Sequence, residues 1–168
     1  METEDSWHQP LRHIKSDELS SDTVQTHGMS RFEAISGRLT GSAKIWLGRT
    51  HVAGGASSAI HHHGESETGI FVVSGHPVFV FADGAKERRI EASPGDFVFV
   101  PPFTAHREEN PTPDVEAVVV IARSTQEAIV VNLESLQGMI DRPNQVKGCC
   151  RKAKGQPSSS RLLPTGEH

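Results

Sequence analysis

Three histidines carry the chemical signal of this chain. His61 and His63 stand one residue apart between the turn residues Gly55 and Gly64, just ahead of the apolar run Ile70–Ser74. His106 follows a second apolar run, Phe97–Val100, that is bounded by Pro94-Gly95 and Pro101-Pro102. On an extended chain, side chains at i and i+2 point the same way, so His61 and His63 share a face and His62 takes the other. An imidazole arriving from a distant strand then completes a facial set for a divalent transition metal, with a carboxylate as a natural fourth ligand. Glu67 is the nearest candidate carboxylate. His51, at the end of the preceding apolar strand, is the alternative fourth ligand, and a site of three histidines plus solvent is the remaining one.

The elements that must position these groups read as strands. Short apolar or alternating runs recur at 32–35, 43–52, 70–74, 78–81, 88–90, 96–100, 115–122 and 128–133. Gly54-Gly55, Ser74-Gly75, Asp83-Gly84, Pro94-Gly95 and Pro111 punctuate them. Many short strands at close spacing, with no sustained helical periodicity before residue 133, predict an all-β barrel or sandwich. At 168 residues the chain holds one ordinary domain with its own core. We expect an N-terminal arm over 1–35, a barrel over 36–136 and a basic, flexible tail over 137–168.

Charge and composition narrow the partners. The net charge of −4 conceals a split: residues 139–168 carry six Lys/Arg against two acids, and the remainder is acidic. An acidic body does not suit nucleic acid or an anionic membrane. The chain holds no apolar run of spanning length and no apolar leader at its start, and its two cysteines, Cys149 and Cys150, are adjacent and ill-placed to bond to each other. The expectation is a cytoplasmic protein. The tail is too polar to gain much from burial, and we expect it to be dispensable for the chemistry of the barrel.

The two histidine segments resemble the motifs of the cupin superfamily. Gly55, His61, His63 and Glu67 match the spacing of its first motif, and Gly75 falls one residue later than the motif's closing glycine. Gly95, Pro101, His106 and Asn110 match the second, with Phe103 where the family has a glycine. The resemblance covers roughly residues 40–133. It implies a single double-stranded β-helix, the cupin jelly-roll barrel, with a metal in one mouth held by His61, His63, Glu67 and His106. The late Gly75 bears on Glu67: counted back from that glycine, Thr68 takes the inward position, and a bulge at Gly69 would be needed to restore Glu67 to the interior.

The resemblance further implies one divalent transition metal per chain, whether Fe, Mn, Ni, Co, Cu or Zn, and a small-molecule ligand in the barrel. Ile70, Val72, Phe79 or Val80, Phe97, Phe99, Val119 and Ile121 are expected to line an apolar pocket. His51 and Glu108 are the candidate acid/base residues, Glu108 because it shares strand parity with His106. The chain has no tyrosine, which disfavours the tyrosine-dependent sugar-nucleotide epimerases of the superfamily. Two chemistries fit: a dioxygenase-type reaction, or Lewis-acid isomerisation, decarboxylation or cyclisation. The alternative is a non-catalytic binding or sensor protein. A homodimer paired through the N-terminal arm is expected.

Overall fold

Two five-stranded antiparallel sheets face each other and enclose the histidines. The computed structural model describes residues 10–125 and 128–137. The strands run in the order β1 (Met29–Ile35), β2 (Trp46–Val52), β3 (His61–His62), β4 (Thr68–Ser74), β5 (Val78–Asp83), β6 (Lys86–Glu91), β7 (Phe97–Val100), β8 (His106–Glu109), β9 (Ala117–Arg123) and β10 (Val131–Asn132). One sheet has the order β1-β2-β9-β4-β7 and the other β10-β3-β8-β5-β6. Neighbours in space are distant in sequence, as in a jelly roll, and no described helix is long and apolar enough to cross a membrane. The only described helix, α1 (Gly37–Thr40), is a single turn whose N-terminus is closed by Ser36 accepting from the Leu39 N–H.

Alternation decides what faces inward. In β2 the buried positions are Trp46, Gly48, Thr50 and Val52, and in β9 they are Ala117, Val119, Ile121 and Arg123. With Ile70, Val72, Val100 and Phe79 these strands form the main core between the sheets. Strand β1, assigned from sequence to the arm, is an edge strand of the first sheet and sends Met29, Arg31 and Glu33 inward. The barrel therefore starts at least seven residues before the boundary expected at 36, because Arg31 and Glu33 disguise the inward face of β1 as polar. The arm ahead of it leaves Leu11 and Val24 exposed. Beyond Gln137 the expected tail lies outside the described residues.

One of the expected pocket residues, Phe97, points the wrong way. Thr68 pairs with Val100 and Ile70 with Val98, so β7 sends its valines inward and Phe97 outward, while Phe99, of the same parity as Phe97, still lines the cavity at the sheet edge as expected. Phe97 is 81% exposed and packs on Phe71 across the outer face at 4.8 Å between rings. Val80 likewise faces outward, into a small cluster with Val78 and Leu136, and Phe79 is the inward residue of β5. A one-residue choice of parity separates the two readings, and an apolar run such as Phe97–Val100 carries no polar residue to fix it.

Gly75 ends β4 with φ +78°, and a Cβ there would lie 2.6 Å from the Ala117 Cα. Both the left-handed backbone and the close approach of β9 require glycine. Gly75→Ala should lower the stability of the protein by about 3 kcal/mol, the sum of the left-handed penalty and overpacking. An equilibrium urea titration against the unaltered protein measures it.

Candidate metal centre

His61 and His106 sit directly opposite each other in the β3–β8 ladder, and His63 follows on the same side of the chain as His61. The three rings meet inside the barrel with centroids 4.5–5.1 Å apart. One ring nitrogen from each lies within 4.8 Å of the others, and all three residues are buried. His62 has the opposite parity. Its Nδ1 accepts the Gly64 N–H at 2.9 Å and its ring packs near Phe103, so it stays out of the cluster.

Each of the three rings is tied through Nδ1. His61 Nδ1 bonds the Ala59 carbonyl at 2.9 Å and His106 Nδ1 the Thr104 carbonyl at 2.9 Å. A carbonyl only accepts, so both Nδ1 atoms carry the proton and both Nε2 lone pairs are free. His63 Nδ1 bonds Thr68 Oγ1 at 2.9 Å, and the same tautomer leaves its Nε2 toward the cluster. Such outer bonds fix ring orientation and raise ligand basicity. Burial, with the neighbouring His106 next, pushes the His61 imidazole down to about 4, and burial with Arg123 holds His63 far below the ordinary imidazole range. Both are neutral near pH 7, the form that coordinates a metal.

The cluster fits a divalent transition metal by this chemistry of the donors. His106 Nε2 is buried and meets no hydrogen-bond partner among the described residues, as a ligand nitrogen held for a metal would. Three protein ligands leave coordination positions open on the pocket side.

Glu67 is not brought to the site. Its side chain is exposed, its backbone pairs with Ser124 at the barrel rim, and Thr68 takes the inward position. Residues 68–71 pair regularly with both neighbouring strands, and the register shift against β9 falls between Val72 and Ser74, past the site, rather than at Gly69. With no bulge ahead of it, Glu67 keeps the outward parity that the late Gly75 implied. His51 is also outside: its Nδ1 lies 2.7 Å from Glu116 Oε1, and its ring meets the edge of Phe32. Glu108 does face inward, 4% exposed, and its charge acts on His61, Arg31 and Arg123.

Beside His106 opens a cavity of about 290 Å³ between β5 and β7, lined by Phe79, Phe81, Val98, Val100 and Thr104 among others. Ile70, Val72, Val119 and Ile121 form the packed floor of the barrel rather than the cavity wall. Sequence reasoning placed Thr68 inward without giving it the role of holding His63, and it missed Arg31 and Arg123. Arg123 continues the inward parity of Val119 and Ile121, which was the available signal.

The motif residues outside the cluster are structural. Asn110 Nδ2 donates to the Val52 and Val115 carbonyls at 3.0 and 2.7 Å and closes the loop behind β8. Arg89 and Arg107 pair with Glu109 and Glu87 on the outer face, and the exposed Arg88 pairs with Asp83.

A family model described as a cupin domain matches residues 48–122, a span that runs from β2 to β9 and contains all three histidines. No curated protein matches the sequence. Among solved structures the chain is similar to the polyketide cyclase RemF from Streptomyces resistomycificus, with a TM-score of 0.62 and 18% identity over 77% of this chain and 89% of that one. It is also similar to a recombinant oxalate oxidase in complex with glycolate, with a TM-score of 0.56 and 20% identity over 62% of this chain and 55% of that one. Oxalate decarboxylase from Bacillus subtilis gives a TM-score of 0.58 and 23% identity over 67% of this chain, which spans only 29% of that protein.

Substituting His63 or His106 by Ala should abolish stoichiometric metal binding while circular dichroism still reports a folded β protein. Thr68→Val, which removes only the Nδ1 partner of His63, should keep one site per chain and weaken it by about 10–100-fold. Metal titration with a competing chelator measures both, and unchanged affinity in the histidine variants would overturn the assignment.

Proposed function

Given that this chain belongs to the cupin superfamily, we propose that it is a metal-dependent enzyme acting on a small, partly apolar organic molecule inside the barrel. The observation that carries this reading is the convergence of three buried imidazoles, each tied through Nδ1, on a point beside an apolar cavity of about 290 Å³. His61, His63 and His106 would hold one divalent ion per chain. When bound, that ion supplies Lewis-acid polarisation of a substrate oxygen or an entry point for O₂ chemistry.

The residues of the chain divide the remaining work. Phe79, Phe81, Val98 and Val100 take the apolar body of the substrate and exclude water from the reacting end. Glu108, inward and two positions beyond His106, is the side chain placed to accept or return a proton. His51 has no such role, because it lies on the outer face of its sheet. Both chemistries remain within the proposal, and the fold accommodates both: one fold relative is named a polyketide cyclase and another an oxalate oxidase. A homodimer is part of the same reading, with the exposed Leu11 and Val24 of the arm as the apolar anchors that pairing would cover.

Protein purified without added metal should retain close to one transition metal per chain. The loaded protein is then screened against enolisable and phenolic compounds in an oxygen electrode, with products read by mass. Oxygen uptake assigns dioxygenase-type chemistry, and product without oxygen uptake assigns Lewis-acid chemistry. Glu108→Gln should abolish turnover in either case with metal content unchanged. Stoichiometric metal and ligand binding with no turnover across the screen would refute the enzyme reading in favour of a binding protein.

A further inference from the structure

Two arginines stand inside the barrel where an apolar core would be expected. Arg31 on β1 and Arg123 on β9 are each 2% exposed and lie on the inward face of the same sheet. Arg123 is the cross-strand partner of Thr68, the residue that holds His63, and both arginines act electrostatically on the His63 ring. Arg123 therefore stands next to the residue that holds His63.

Their hydrogen bonding is incomplete. Arg123 Nη1 donates to the Ile129 carbonyl at 3.0 Å and its guanidinium stacks over Trp46, while Arg31 Nη1 donates to the Val24 carbonyl. Arg123 Nε and Nη2 and Arg31 Nε are buried and meet no acceptor among the described residues. Thr50, the cross-strand partner of Arg31, adds a buried hydroxyl that also has no partner there.

Nor is the charge balanced. Glu33, the buried acid nearest in sequence, is engaged by Ser36 and by Arg38 at 3.4 Å. Glu108 is the other buried acid, and it attracts both arginines without forming an ion pair with either among the described residues. A divalent ion on the three imidazoles would add two further positive charges to this interior. A buried cation with idle donors is costly unless an anion answers it. A planar guanidinium with Nε and one Nη free presents the fork that matches a carboxylate.

Building on the proposed reading of the barrel as a ligand site, we propose that Arg31 and Arg123 form an anion clamp that receives the carboxylate of a small organic acid inside the barrel. The clamp selects acids over neutral molecules of the same shape and orients them against the metal centre. It sets specificity, and it is independent of which chemistry follows.

The test compares benzoate with its neutral isostere benzamide by isothermal titration into the full-length protein, both metal-loaded and metal-stripped. The stripped protein isolates the arginines from the metal's own affinity for anions. There, benzoate should bind at least about tenfold more tightly than benzamide. Arg123→Gln should remove that preference, lower benzoate affinity in the loaded protein as well, and leave benzamide binding and metal content unchanged. Arg123→Lys, which keeps the charge and loses the fork, should recover only part of it. Should Arg123→Gln fail to fold, Arg31→Gln is read by the same criterion. Equal binding of the two probes to the stripped protein, no detectable benzoate binding, or a preference that survives these substitutions would overturn the clamp. A full complement of metal without a benzoate preference sinks the clamp alone, whereas a benzoate preference without stoichiometric metal sinks the metal reading alone.

Discussion

A single cross-strand pair, His61 opposite His106, joins the two halves of this protein's chemistry. The two residues are far apart in sequence, and β3 and β8 meet in the ladder through that pair alone. Its register brings an imidazole from each motif to one side of one sheet, and the i+2 step to His63 adds the third. Slipping the pair by one residue would replace His61 by His62, whose ring is committed to Gly64 and Phe103. The strand is too short to hold this register by itself. It is held by its surroundings: β10 pairs with β3, and the segment just ahead of β3 is pinned to both neighbouring strands by the Ser58–Glu108 and Leu133–Ile60 backbone bonds. The site thus depends on non-local pairing throughout, and this is why it is built from strands of two different motifs.

What the sequence made legible follows from period and spacing. The fold class and the three histidines were readable because strand parity is strict and turn residues mark its limits. Thr68 was also within reach, since counting back from Gly75 gave the inward position to it and not to Glu67. The structure agrees with that count and places Glu67 in solvent. Where reading failed, parity had nothing to hold it. Phe97-Val-Phe-Val is apolar at every position, so only the ladder with β4 shows which pair faces in. Glu108 stood out by sharing the parity of His106. Arg31 and Arg123 obey the same rule from the other sheet, yet each lies one residue outside the apolar runs read from the sequence, at 32–35 and 115–122.

The interior is accordingly two environments. Toward Ala117 and Val52 it is an ordinary dry core with Met29. Toward the histidines it holds arginine, glutamate and threonine side chains, several with donors that find no protein acceptor. Aliphatic packing dominates stability in the first region because every buried methylene contributes. The second region gives up that gain to keep polar groups at fixed positions near the metal centre. Natural sequences break the rule of an apolar core mainly where function requires it. Of the groups that break it, His106 also borders the cavity.

Phe103 shows the same trade on the backbone. It occupies the place where the family motif has a glycine, and its φ of +59° explains why a glycine suits that place. A phenylalanine in the left-handed region pays about 1–2 kcal/mol in backbone strain. What holds it is local: its N–H donates to the Gly64 carbonyl at 2.8 Å, and its ring packs near His62. Those two contacts tie the loop that delivers His106 to the turn that follows His63. The strained residue therefore links the two histidine segments from outside the cluster, as the His61–His106 pair links them from within. Between them the three imidazoles are positioned by backbone geometry on both sides, and a fourth protein ligand is not needed to hold the site together.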